Sequence, residues 1–110
     1  MAARAIVPLL SGLIYPPPDM DRRLRARDLC RCALDEVERE LSAPRYNLLP
    51  DQLGTCREKL RGYLDALEAD ALPPRRDRDE ALGRLILDRW PYDVPLANAI
   101  LQAERAWRTC

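Results

Sequence analysis

The chain has 110 residues, enough for one hydrophobic core and too few for two. With 47% apolar and 33% charged residues, it is too apolar for intrinsic disorder and too charged for a membrane protein. Eighteen basic and eighteen acidic side chains cancel, so the surplus of base that marks a dedicated DNA-wrapping protein is missing; with no His, Ser-His, Cys-His and His-metal chemistry are excluded.

Residues 1–19 read as an extended, apolar, Pro-rich arm. The stretch AIVPLLSGLIY at 5–15 carries no charge. It is too short to cross a bilayer, which needs about 20 residues. Ile6, Leu9, Leu10, Leu13, Ile14 and Tyr15 give it its apolar side chains, and Pro16-Pro17-Pro18 stiffens the exit into polyproline II and bars a helix. Such an arm is expected to lie on its own body, on a second copy or in a partner's groove. Arg4 before an apolar run has the outline of a signal peptide, but Pro8 interrupts the run and no convincing cleavage site follows. A mitochondrial presequence would carry more Arg and Ser. The expected location is intracellular, cytoplasmic or nuclear; targeting by residues 1–18 to the secretory route or to mitochondria is the alternative.

Residues 20–110 read as a single all-helical domain. Cys30, Leu34, Val37 and Leu41 step by four, three and four, with Ala26 and Ala33 beside them, which predicts a helix over about 21–41. Asp19 or Asp21 is placed to cap its start, and Ala43-Pro44 ends it. Cys32 falls opposite Cys30 and should be exposed. After a proline-bounded linker at 44–50, Asp51 is expected to cap a second helix over about 52–70. Its stripe is Leu53, Cys56, Leu60, Leu64 and Leu67, with Tyr63 alongside. Placing Leu41 near Leu53 makes the two helices an antiparallel hairpin that sets Cys30 by Leu64, two turns from Cys56, so no disulfide joins Cys30 to Cys56.

Asp77 and Glu80 resemble a capping box at the start of a third helix, about 78–89, that buries Leu82, Leu85 and Ile86. Trp90 precedes Pro91, which pushes it out of the helical region and toward partial exposure. Asp93 is placed to cap a fourth helix over about 94–108, where Pro95 is tolerated in the first turn. Leu96, Ala97, Ile100, Leu101 and Trp107 form its apolar face. The expected fold class is all-α: a small four-helix domain built on the hairpin, with the apolar arm in front.

Cys30, Cys32, Cys56 and Cys110 are spaced unlike a zinc site or a redox C-x-x-C pair, so they read as reduced thiols. No P-loop, G-x-G-x-x-G or nucleophile elbow occurs. The chain is therefore expected to be no enzyme, with no catalytic, cofactor or metal site.

One charge pattern stands out. Arg22, Arg23, Arg25, Arg27 and Arg31 crowd the first half of helix one, and Asp35, Glu36, Glu38 and Glu40 crowd the second. This order opposes the helix dipole. Its charges could pair along the helix, Arg31 with Asp35 for instance. They could also form a patch for an acidic surface, for nucleic acid or for the acidic end of a second copy's helix. The expected function is a non-catalytic protein–protein interaction module: an assembly subunit, adaptor or regulator. Its expected contact residues are Arg22, Arg23, Arg27, the six apolar residues of the arm, and Trp90, an interface-prone type at a corner. The partner would be another protein or a second copy of the chain. The alternative is nucleic-acid binding through the clusters at 22–31 and 75–78, which have no aromatic residue among them to stack on bases.

Overall fold

Proline starts three of the four helices. In a computed structural model, which describes residues 18–78, 80–90 and 94–110, α1 spans Pro18–Ser42, α2 Pro50–Glu68, α3 Ala81–Arg89 and α4 Pro95–Thr109, with a 3-10 turn at Arg75–Asp77 before α3. No strand occurs among the described residues. The protein is mostly helical, as the apolar stripes predict. Residues 1–17, and with them the arm residues Ile6, Leu9, Leu10, Leu13, Ile14 and Tyr15, lie outside the described region.

The helix starts differ from those expected of capping carboxylates. Proline has its φ already set for a helix, and its missing N–H is one the first turn leaves unpaired anyway. Pro18 therefore opens α1 instead of barring it, and the helix reaches into the expected arm. Leu49 and Val94 are the residues before α2 and α4, and neither makes a side-chain cap. Asp51 sits in the first turn of α2, where its charge meets the helix dipole without acting as the cap. Asp93 lies outside the described residues. Trp90 does end α3 in an extended conformation, with φ −109° and ψ 148°.

One cluster of buried side chains joins all four helices. α1 gives Cys30, Ala33, Leu34 and Val37, and α2 gives Leu53, Cys56, Leu60 and Leu64. α3 adds Leu82 and Ile86; α4 adds Leu96, Ile100, Ala103 and Trp107. The expected stripes are these, with Leu41, Leu67, Leu85 and Leu101 only half-buried at their margins. Ala26 and Ala33 are fully buried, and their small side chains let neighbouring backbone come near α1. α1 packs most extensively against α2 and α4, and α3 rests mainly on α4.

Ion pairs decorate the α1–α2 contact. Arg31 meets Glu68 at 2.5 Å and Arg61 meets Glu38 at 3.2 Å. Arg23 meets Asp70 in the turn after α2. Arg31 thus reaches across to α2 and not along its own helix to Asp35. The turn that holds Asp70 is a Schellman motif. Asp70 has a left-handed φ of 54°, Ala71 N–H donates to Ala66 O at 2.9 Å, and Asp70 N–H donates to Leu67 O at 3.4 Å. These exposed pairs contribute about 0–1 kcal/mol each. Burial of the stripes carries the packing.

Two buried carboxylates shape the rest. Glu40 is fully buried, and its Oε2 accepts from the backbone N–H groups of Arg45 and Tyr46, both at 2.9 Å. It therefore holds the α1–α2 linker and is no part of an exposed acidic half of α1. Glu104 on α4 is 4% exposed. Its carboxylate accepts from Leu82 N–H at 3.0 Å, Gly83 N–H at 2.9 Å and Tyr63 Oη–H at 3.0 Å. Leu82 and Gly83 are the second and third residues of α3, so Glu104 is the cap of α3, delivered from another helix. Glu80 makes no side-chain cap, and Asp77 lies in the 3-10 turn, so no capping box forms. A Cβ on Gly83 would lie 3.0 Å from Glu104 Oε1, so the missing side chain is what lets the carboxylate approach. Tyr63 also stacks on Trp107, ring centres 3.9 Å apart and planes 19° from parallel.

Leu60→Ala is expected to cost about 2–5 kcal/mol, because Leu60 is fully buried at the centre of the stripe. A denaturant midpoint that barely moves would place Leu60 outside the core. Glu104→Gln keeps the shape but sets an NH2 group against donors, and should cost about 1–3 kcal/mol. Tyr63→Phe should then cost less in the Glu104→Gln background than in the native chain; equal costs in both would show that the two side chains act independently.

Candidate functional site

The five arginines clustered at 22–31 of α1 divide into two sets. Arg23 and Arg31 are held by Asp70 and Glu68, and Arg27 lies 4.0 Å from Asp28. Arg22 and Arg25 have no ion-pair partner among the described residues. Spacings of three and four residues put Arg22, Arg25 and Leu29 on one face of α1. The same spacings put Gln102, Arg105, Ala106 and Thr109 on one face of α4. These two faces line a cleft of about 530 Å³. Arg105 also lacks an ion-pair partner among the described residues. Other exposed arginines, Arg76 among them, also lack an ion pair among the described residues; what sets these three apart is that they share a cleft. Among the described residues, no carboxylate lines it.

The expected contact set therefore splits. Arg22 lies in the cleft, while Arg23 and Arg27 face acids of the chain itself. Arg25 and Arg105 belong to the cleft and were not among the expected contacts. Nothing within α1 marks Arg25 over its neighbours; the distinction comes from its packing beside α4.

The second arginine cluster is mixed: Arg75 and Arg76 are exposed, and Arg78 is internal. Arg78 is 9% exposed. Its Nε donates to Pro73 O and its Nη1 to Trp107 O, both at 2.9 Å. Its guanidinium carbon sits 5.9 Å from the centre of the Trp107 ring. Arg75 Nη2 donates to Cys110 O at 3.4 Å. A helix leaves its last carbonyls unpaired, and these arginines supply donors at the end of α4.

Trp90 also departs from expectation. It is 4% exposed, and its Nε1–H donates to Gln52 Oε1 at 2.8 Å. The corner conformation is as expected, but the indole belongs to the core cluster with Val94 and Leu96. A large apolar ring at a corner can end a helix and still be covered by neighbouring elements, here with Gln52 of α2 holding its indole N–H. The edge of Trp90 borders a second, smaller cleft of about 390 Å³, near Leu49, which is 60% exposed.

All four cysteines are free thiols; Cys32 is exposed and the other three are buried. Burial, and secondarily the neighbouring Cys110, pushes the Cys30 thiol up to about 12. Burial, and secondarily the charge of Glu104, pushes the Cys56 thiol up to about 12. A thiol held protonated is a poor nucleophile and a poor metal ligand. Among the described residues, no group of three or more His, Cys, Asp or Glu could hold a metal ion. No described helix is long and apolar enough to cross a membrane. What the cleft can do chemically is bind an anion: guanidiniums offer paired donors that match a carboxylate or a phosphate. In comparisons with known proteins, no family model and no curated sequence matches the chain.

The thiols give a test of the core. A maleimide at neutral pH should label Cys32 rapidly and leave Cys30 and Cys56 unlabelled until the protein unfolds. Both buried thiols are raised from the ordinary 9.0. Below about 9 the folded and unfolded chains hold the same thiol protons. Above it the unfolded chain loses them first, so stability should fall as pH rises from about 9 toward 12. Melting temperatures that stay level across that window would mean that neither thiol is shielded from water.

Proposed function

We propose that the protein is a non-catalytic protein–protein interaction module, an assembly subunit, adaptor or regulator, that binds through the α1/α4 face. The observation that carries this is the cleft holding Arg22, Arg25 and Arg105 with no partner among the described residues. Like charges gathered at one place repel each other. Folding gains nothing from that arrangement, whereas an anionic partner would. The body that presents the face is an antiparallel hairpin of α1 and α2. Support comes from pairs 23–70, 31–68 and 38–61, whose positions run in opposite order along the two helices. The apolar residues ahead of α1 add a second contact element in this reading. Free thiols support an intracellular setting.

Nucleic-acid binding is the rival reading, and the same three arginines favour it. It loses support from the second cluster, where Arg75 and Arg78 are engaged with backbone carbonyls.

Affinity capture with the full chain, with and without nuclease, tests the choice. A protein should be retained in both, and Arg22→Glu with Arg25→Glu should lose it while the circular dichroism stays helical. If the retained material is nucleic acid alone and vanishes with nuclease, the interaction-module reading fails.

A further inference from the structure

We infer that the α1/α4 cleft takes a short acidic segment of a partner protein, in which carboxylates flank one small apolar side chain; this rests on the interaction-module reading above. The length of the cleft comes from its walls. Arg22 to Leu29 on α1 is seven residues, about 10 Å of helix at 1.5 Å per residue. That accommodates two turns of a partner helix, or about three extended residues. The segment is therefore short, and its specificity must come from a few groups.

Those groups follow from the lining. Arg22 and Arg25 stand on one wall and Arg105 on the other. A carboxylate between them can be held by paired N–H donors from a planar guanidinium. Leu29 and Ala106 are half-buried and give the cleft an apolar part that a phosphate chain would leave unused. Asp21, one turn before Arg25, forms no ion pair with Arg22 or Arg25.

Two other occupants fit less well. Three arginines can neutralise about three phosphates, which is little grip on a nucleic-acid backbone. Among the described residues, no aromatic side chain lines the cleft to stack on a base. A second copy offering the acidic half of α1 would have little to give, since there Glu38 is tied to Arg61 and Glu40 is buried on the linker. Only Asp35 and Glu36 of that stretch are left to offer.

The test uses the full chain and a fluorescent twelve-residue peptide with two Glu pairs spaced four apart around a central Leu, read by polarisation. The native chain should bind it, and the same peptide with Gln for Glu should bind at least tenfold more weakly. Arg25→Glu with Arg105→Glu should weaken binding at least tenfold, and a Lys-for-Glu peptide should recover binding to that variant. Arg76→Glu, an exposed change outside the cleft, should alter affinity less than twofold. Should the double variant lose its helical signal, the single change Arg22→Gln should still weaken binding severalfold. The inference is overturned if the native chain ignores the Glu peptide, or if the cleft variants bind it as well as the native chain does. It is equally overturned if a 20-base-pair duplex binds more tightly than the peptide with the same arginine dependence. Sedimentation that shows a dimer dissociated by the cleft variants would assign the cleft to a second copy instead. Each of these failures is distinct from a capture experiment that retains no protein at all.

Discussion

The buried carboxylate of Glu104 is the contact on which the arrangement of three helices depends. It stands on α4, accepts from the start of α3, and accepts from Tyr63 on α2. Tyr63 in turn lies flat on Trp107, one turn further along α4, and the carbonyl of Trp107 is taken by Arg78. Burying a carboxylate is costly unless hydrogen bonds replace the water it loses. Here three donors do so. Apolar stripes bring the helices together without fixing their rotation closely; polar contacts of defined direction do fix it.

Glu40 plays the matching part at the α1–α2 linker. It turns the chain from α1 into α2 by holding two consecutive backbone N–H groups. With Glu40, Glu104 and Arg78 committed inside, an even count of acids and bases says little about the surface. The exposed charge is uneven although the total is zero. On α1, Arg23 and Arg31 reach to the end of α2, while Arg22 and Arg25 line the cleft against α4.

Much of the fold is legible in the chain because apolar spacing is a local property. Leu53, Cys56, Leu60 and Leu64 announce a buried face wherever that helix happens to pack, and so do Cys30, Val37, Leu82 and Ile100. Helix starts were less legible. Asp19, Asp21, Asp51 and Asp77 each looked like a cap, but proline geometry set α1 and α2, and a side chain from α4 set α3. One signal for that was present: Ile100, Glu104 and Trp107 lie four and three apart, so Glu104 interrupts an apolar face and demanded an internal partner. The cleft was not legible in this way. Arg25 and Arg105 are 80 positions apart, and only the packing of α1 on α4 brings them to one place. Trp90 shows the opposite limit, since its local conformation was predictable while its burial depends on tertiary packing, with Gln52 of α2 taking its indole N–H.

The dependence of α3 on Glu104 bears on how the molecule comes apart. Nine residues are fewer than the dozen or so that an isolated helix needs to persist in water. If α3 peeled away alone, it would strand a buried carboxylate and free two amides without compensation. The cheaper route is for α3 to open together with the α2–α4 contact beneath it, as one cooperative unit. The backbone amides of Leu82 and Gly83, although near the start of a short helix where fraying is normal, would then exchange with solvent as slowly as those in the middle of α4.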